Sequence, residues 1–130
     1  MERGLGADRI ADILAAKRLY PDKSLLIIDF GTATTFDMIK ESTYMGGCII
    51  PGVNLSINAL FNNTAKLPKI KFEKPSTVLG INTVTQINSG IFYSNVGAVK
   101  ELIAKYKEEI SESYVISTGG QGKEISDFIP

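Results

Sequence analysis

Apolar residues fall into two kinds of pattern along the chain, and the two kinds predict different elements. The run Leu25–Ile28 is apolar at every position, which is typical of a strand buried on both faces. Val99, Leu102 and Ile103 instead recur at helical spacing. Residues 69–82 carry a mixed pattern that predicts a loop with one short strand. Over the whole chain the pattern predicts strands at residues 25–29, 35–40, 44–50 and 114–117, and helices at residues 8–20, 53–62, 84–109 and 121–128.

Two pairs of glycines interrupt these elements. Gly46 and Gly47 lie inside the third strand and indicate a β-bulge or the close approach of another backbone segment. Gly90 and Gly97 lie between two apolar stripes of the long helical region. There they would either divide it into two helices or allow close packing against another helix.

The order of the elements predicts the fold class. The N-terminal helix is followed by three strands, a helix, a short strand, a long helix, a strand and a last helix. This order is typical of an α/β fold, in which a mixed β-sheet is flanked by helices. With 130 residues, the chain is long enough to form a single domain with its own core.

Composition narrows the chemistry that the chain can carry. Lys+Arg and Asp+Glu both number 14, so no overall charge draws in nucleic acid or an anionic membrane, and neither partner is expected. No apolar run approaches the roughly 20 residues of a membrane span. The single cysteine, Cys48, makes a reducing, cytoplasmic setting the default expectation. The absence of histidine excludes a Ser-His-Asp triad and a His-ligated metal site.

The turn that follows the first strand is the first candidate for chemistry. Asp29 ends a buried strand, and Gly31, Thr32 and Thr34 follow it before a second β-prone run begins. Gly31 allows a ligand to approach the backbone, and successive N–H groups in such a turn can bind an anion. Asp29 would face a cation. A β-hairpin whose polar residues only satisfy turn backbone groups explains the same letters equally well.

The segment that enters the N-terminal helix is the second candidate. Gly6, Ala7, Asp8 and Arg9 lead into a helix N-terminus, where free N–H groups favour an anion. On local grounds Asp8 is more simply read as an N-cap and Arg9 as a solvated surface charge. Gly119 and Gly120 form a third glycine turn, after the last strand, which is compatible with a nucleotide but also with ordinary loop chemistry.

The chain has neither a P-loop nor a dinucleotide-binding fingerprint. The sequence DFG at residues 29–31 also occurs in protein kinases, but the other protein-kinase motifs are absent. Six other motifs occur together in this chain. They are GADRI (6–10), DFGTATTFD (29–37), GGCIIPG (46–52), TAKLP (64–68), GINT (80–83) and STGG (117–120). In order and approximate spacing the chain resembles the bacterial type III pantothenate kinases, members of the actin-like ATPase and sugar-kinase superfamily. The resemblance implies a ribonuclease H-like, actin-like ATPase lobe. It also implies ATP-dependent phosphorylation of pantothenate to 4′-phosphopantothenate, the first step of coenzyme A synthesis.

The resemblance also assigns roles to residues on the pantothenate side. Gly6, Ala7, Asp8 and Arg9 would contact pantothenate, and Arg9 suits its carboxylate. Asp8 corresponds to the general base that accepts the proton of the hydroxyl group. Thr83 corresponds to a further pantothenate contact, which in the family's homodimer closes the site across the subunit interface.

On the nucleotide side, Thr32 corresponds to an ATP phosphate contact, in a turn with Gly31 and Thr34. Gly119 and Gly120 would lie beside the adenosine. Asp29 corresponds to the ligand of a monovalent cation, K⁺ or NH₄⁺, and Mg²⁺ is expected with ATP. This set of groups suits phosphoryl transfer, which depends on positioning and charge neutralisation and requires no protein nucleophile.

The chain departs from the family pattern in one respect. It contains no DxGNT phosphate loop, and it begins close to GADR and ends soon after TGG. We therefore expect residues 1–130 to resemble the second lobe of a two-lobed kinase, without the first lobe and the extreme C-terminus. By itself such a chain should be inactive. The alternatives are a non-catalytic homologue that acts as a regulatory or transcriptional accessory protein, and another sugar or small-alcohol kinase, against which the GADR and GINT pair argues.

Overall fold

The computed structural model describes residues 6–63 and 72–120, apart from the side chains of residues 61–63. Its helices are α1 (Ala7–Leu19), α2 (Val53–Asn63) and α3 (Thr83–Glu109), and its strands are β1 (Leu25–Phe30), β2 (Ala33–Lys40), β3 (Thr43–Pro51) and β4 (Tyr114–Thr118). Each helix and each of the four main strands predicted within these ranges is confirmed, with ends that differ by at most two residues. The predicted helix at residues 121–128 lies outside the described residues.

The four strands form one mixed sheet in the order β3-β2-β1-β4. β1 pairs antiparallel with β2 and parallel with β4, and β2 pairs antiparallel with β3. β1 is therefore a central strand, and its residues Leu25–Ile28 are at most 2% exposed. Helices cover both faces of this strand, and this explains why every residue of the run is apolar.

Helices cover the sheet from both sides. On one face, Ile13 and Ala16 of α1 pack against Leu25, Ile27 and Ile39. On the other face, α2 and α3 cover the larger cluster, which includes Phe36 and Met38 from the sheet and Phe92, Val96 and Val99 from α3. The predicted α/β fold with a mixed sheet between helices is confirmed.

The glycines of β3 coincide with a bulge. Met38 pairs with Gly46 and Ile39 pairs with Tyr44, so Met45 is the extra residue on β3. Gly46 has a φ of +117°, which a side chain would make unfavourable. A Cβ at Gly47 would collide with the carbonyl oxygen of Phe36. Both a bulge and a close backbone approach are present.

α3 runs without a break over 27 residues. Gly90 and Gly97 are exposed, and a Cβ at either would meet no atom within 4 Å beyond the helix's own neighbouring backbone. The division into two helices is therefore excluded, and neither glycine packs against another helix in the described part of the chain. Asn82 caps the helix in a reciprocal capping box with Thr85.

The segment before α3 contains no strand over residues 72–82. The short strand predicted within residues 69–82 is therefore absent from the described part of that segment. Asn88 holds the segment instead, because its side chain accepts a hydrogen bond from the Glu73 N–H and donates one to the Glu73 carbonyl. Within the described ranges, no helix combines the length and apolar character that crossing a membrane requires.

Candidate active site

A cleft of about 390 Å³ lies where the N-terminus of α1 meets the turn between β1 and β2. It joins two segments that are separated by about twenty residues in the chain. Its walls are formed by Gly6, Ala7, Asp8, Arg9, Asp29, Gly31, Thr32, Ala33 and Thr35. The GADRI motif and the DFGTATTFD motif therefore meet in one place.

The first wall is the beginning of α1. Gly6 occupies the N-cap position with extended backbone (φ −66°, ψ 157°), and no side chain caps the helix. Asp8 is the second residue of the helix and is exposed. The interpretation of Asp8 as an N-cap is therefore wrong, because Gly6 holds that position. The uncapped N–H groups and the exposed carboxylate both lie at the cleft.

The second wall is the turn after β1, which is shorter than expected. The ladder continues to the pair Phe30–Thr34, so only Gly31 and Thr32 form the turn. The Gly31 N–H donates to the Ala33 carbonyl at 3.2 Å, and the Gly52 N–H donates to the Thr32 carbonyl at 3.0 Å. A Cβ at Gly52 would collide with that same carbonyl. Gly52 therefore packs directly against the turn and is hydrogen-bonded to it.

Gly119 lies beside Asp29 at one end of the sheet. Asp29 pairs with Thr118 in the parallel ladder, so β4 brings Gly119 to the same end of the sheet. A Cβ on Gly119 would stand 2.6 Å from Asp29 Oδ1 and 2.6 Å from the Phe30 carbonyl oxygen. With a φ of +93°, Gly119 also adopts a backbone conformation that favours glycine. Glycine is required here, because this residue packs directly against a carboxylate and a carbonyl oxygen.

Four predicted site residues do not line this cleft: Gly119, which nevertheless lies beside Asp29, and Thr34, Thr83 and Gly120. Thr34 lies in β2, only 3% exposed, because the ladder includes it where a loop was expected. Thr83 is the first residue of α3, which packs on the sheet face opposite α1. Gly120 is exposed, and a Cβ added to it would meet no atom within 4 Å. Their assignments to ligands stay predictions.

Arg9 is not a solvated surface charge, because a buried partner holds it. Its Nε donates to Asp37 Oδ2 at 3.0 Å, and its Nη2 donates to Asp37 Oδ1 at 2.5 Å. Tyr44 donates its hydroxyl hydrogen to Asp37 Oδ1 at 2.7 Å and accepts a hydrogen bond from Arg9 Nη2 at 3.3 Å. Asp37 is 2% exposed. The hydrogen bond to Asp37 raises the pKa of Arg9.

Asp12 lies one turn beyond Asp8, in contact with Asp29. Its Oδ2 is buried and has no hydrogen-bond partner in the described part of the chain. Burial, followed by the hydrogen bond and the negative charge of Asp29, raises the pKa of Asp12 to about 7. Asp12 does not line the cleft itself, but it places a second carboxyl group against Asp29, which does.

Sequence reasoning missed Asp12, Asp37 and Tyr44. Asp12 follows Asp8 by four residues, so helical spacing alone places both on one face of α1. Asp37 and Asp29 lie on the same face of the sheet, because Asp29 pairs with Thr35 and strand side chains alternate. The position of Tyr44 depends on the bulge, which shifts it into register with Ile39.

Residues 1–105 match the type III pantothenate kinase family. The chain is 54% identical over 124 residues to a type III pantothenate kinase of Fusobacterium nucleatum, and the match covers 95% of this chain and 48% of that protein. Type III pantothenate kinases of Elusimicrobium minutum and Agathobacter rectalis are 50% and 45% identical, with 48% of each protein covered. The chain thus spans about half the length of these curated relatives.

A solved structure shares the fold. It is a conserved protein of Campylobacter jejuni described as a Baf family transcriptional activator, with a TM-score of 0.67 at 22% identity. The match covers 99% of this chain and 56% of that one. At this identity the likeness concerns the fold, which agrees with the predicted ribonuclease H-like lobe. From the family match and the three relatives, the chain belongs to the type III pantothenate kinase family.

Proposed function

We propose that the protein containing this chain transfers the γ-phosphate of ATP to the primary hydroxyl of pantothenate, and that the chain supplies the second lobe of that enzyme. The cleft is the observation that carries the proposal, because the GADR segment and the Asp29–Thr32 segment face each other across it. Membership of the family supports the choice of substrate and nucleotide.

In this proposal, Asp8 is the general base. It is exposed at the cleft and holds no structural hydrogen bond of the helix cap. Its carboxylate is therefore free to accept the proton of the hydroxyl group. Gly6, Ala7 and Arg9 surround the same opening and would bind the rest of pantothenate.

The turn of Gly31 and Thr32 is the proposed phosphate contact. The exposed Thr32 and the backbone at Gly31 both line the cleft, so the terminal phosphates of ATP would lie between this turn and Asp8. Gly119 and Gly120 would adjoin the adenosine, and Mg²⁺ would accompany the nucleotide. An arrangement in which both substrates share one opening suits an in-line transfer.

Asp29 is the proposed ligand of a monovalent cation, K⁺ or NH₄⁺. Asp29 lines the cleft, and its Oδ1 and the Phe30 carbonyl oxygen both lie next to Gly119, so two oxygen donors of the kind that hard cations prefer are close together. None of the described residues form a cluster of three carboxylate or thiolate side chains suited to a metal. A weakly charged ion with few protein ligands fits this donor set better than a caged divalent metal. When bound, the cation would offset phosphate charge.

The proposed enzyme is a cytoplasmic homodimer that pairs through the region of α3. Support comes from the face of α3 that carries Gly90 and Gly97, where a partner helix could approach closely because neither residue has a side chain. Thr83 at the start of α3 would then reach the pantothenate site of the partner subunit.

The experiment is a coupled assay of the purified complete protein with pantothenate, ATP and Mg²⁺. We expect pantothenate-dependent formation of ADP that requires K⁺ or NH₄⁺, and no turnover of sugars. Asp29→Ala should weaken the dependence of the rate on K⁺, and Asp22→Ala, at an exposed turn, is the matched control. A complete protein without pantothenate-dependent turnover would favour the non-catalytic accessory protein instead.

A further inference from the structure

Arg9 reaches the cleft as one member of a buried network. Two of its nitrogen atoms, Nε and Nη2, donate side by side to the two oxygens of Asp37. This two-point contact fixes the plane of the guanidinium group as well as its position. A lysine at this position could keep the charge but could not make the same planar contact.

Tyr44 completes the network from β3. Its hydroxyl group donates to Asp37 Oδ1 and accepts from Arg9 Nη2. Three of the five N–H donors of Arg9 are therefore directed at Asp37 and Tyr44. In the described part of the chain, Nη1 takes part in no hydrogen bond, and its two donors remain for another acceptor.

The sheet is built so that this network can form. Asp37 lies on β2 at 2% exposure, where a carboxylate without partners would be strongly unfavourable. Gly47 is its register partner on β3, and a Cβ there would stand 3.0 Å from Asp37 Oδ1. The bulge at Met45 brings Tyr44 opposite Ile39, on the face that α1 covers. Gly47 therefore leaves room for the Asp37 carboxylate, and the bulge brings the Tyr44 hydroxyl group into hydrogen-bond contact with it.

We infer that Asp37 and Tyr44 are positioning residues, which hold the guanidinium group of Arg9 so that its Nη1 is presented to a carboxylate of the substrate. The inference rests on the proposed function, in which Arg9 binds the carboxylate of pantothenate. It adds how Arg9 is oriented and which of its atoms is left for the ligand. Neither Asp37 nor Tyr44 lines the cleft, so both act through Arg9.

The test is a double-mutant cycle in the complete protein, with Arg9→Ala, Tyr44→Phe and the double variant. One net hydrogen bond corresponds to a factor of about three to ten, so Tyr44→Phe should raise KM for pantothenate by about that factor. KM for ATP and kcat should stay within about twofold of wild type, whereas a merely structural role would lower the active fraction and hence kcat. Tyr20→Phe, which removes an exposed hydroxyl group, is the matched control and should change nothing.

The double variant shows whether Tyr44 acts through Arg9. Arg9→Ala should raise KM for pantothenate by about 10- to 100-fold, since it removes a charged hydrogen bond. Adding Tyr44→Phe should then have no further effect, because the residue that it positions is gone. Effects that multiply in the double variant, or an unchanged KM in Tyr44→Phe, would overturn the inference while leaving the proposed function intact.

A second measurement is independent of activity. The Arg9 Nε–H proton, followed by ¹⁵N NMR, should exchange with water at least about tenfold more slowly than that of the exposed Arg18, because the buried Asp37 protects it. Tyr44→Phe should speed the exchange at Arg9 and leave Arg18 unchanged. Equal exchange at the two arginines in the wild-type protein would overturn the inference even if pantothenate proved not to be the substrate.

Discussion

At the scale of single residues, the charge of Asp8 can be separated from its place in the helix. Gly6 is the N-cap, so Asp8→Asn removes a negative charge without removing a cap. Loss of the interaction with the helix dipole should cost less than about 1 kcal/mol of stability. Loss of a general base should lower kcat by about 10²- to 10⁴-fold. Urea unfolding measures the loss of stability, and steady-state kinetics measure the loss of kcat. A variant with the kcat of wild type would contradict the role of Asp8 as the general base.

Asp12 should make the stability of the chain depend on pH. Its pKa in the folded chain is raised to about 7, whereas the ordinary value is 3.8. Between these values the folded state holds a proton that the unfolded state has released, so stability falls as the pH rises through this range. Asp12→Asn removes this contribution, so the variant should gain stability relative to wild type between pH 4 and pH 8.

Urea unfolding at those two pH values in choline chloride measures the effect, and Asp22→Asn in an exposed turn is the control. The difference between Asp12→Asn and wild type isolates the Asp12–Asp29 pair, because the titrating groups away from this pair contribute equally to both proteins. A difference that is the same at pH 4 and pH 8 would show that Asp12 has an ordinary pKa.

At the scale of elements, α3 depends on the cap at its N-terminus. Asn82 accepts a hydrogen bond from the Thr85 N–H at 2.9 Å, and Thr85 Oγ1 accepts one from the Asn82 N–H at 3.1 Å. Asn82→Ala should lower the free energy of unfolding by about 0.5–2 kcal/mol. Asn58→Ala on the exposed face of α2 is the same chemical change without a cap, and it should be neutral or slightly stabilising. Equal losses in the two variants would contradict the capping role.

The elements were predictable because their hydrophobic periods are unambiguous. Leu25–Ile28 and the stripe of Val99, Leu102 and Ile103 fit one period each, so strand and helix could be told apart. The start of β2 was placed late because Ala33 and Thr34 are not strongly apolar, and only the ladder with β1 reveals them as strand.

The polar network behind the site was less predictable. Asp37 looks like any polar residue of a strand until its partners are known, and they come from α1 and from the far side of a bulge. Sequence indicates which residues carry charge, whereas the register decides which charges meet. The same holds for Asp12 and Asp29, whose contact requires α1 to lie on one particular face of the sheet.

At the scale of the whole molecule, the chain by itself should be inactive. The cleft has walls from α1 and from the β1–β2 turn, while the DxGNT phosphate loop of the family is not in the sequence. Apolar side chains such as Leu79 and Ile81 are 75% and 89% exposed and would favour self-association. Sedimentation and the coupled assay test both points. Phosphorylation of pantothenate by the purified 130-residue chain would contradict the proposal that it is one lobe.

β1 holds Asp29 and β4 leads to Gly119, but the two strands differ in how readily they open. The core residues of β1 are paired on both sides and at most 2% exposed, so their amide hydrogens exchange only through global unfolding. β4 is paired with β1 alone among the described strands, and Tyr114 and Val115 are 51% and 37% exposed, so it opens at lower cost. We therefore expect a minor population in which Gly119 separates from Asp29 while the rest of the chain stays folded. A ligand that contacts both selects the closed molecules, and it should slow hydrogen exchange in β4 far more than in β1.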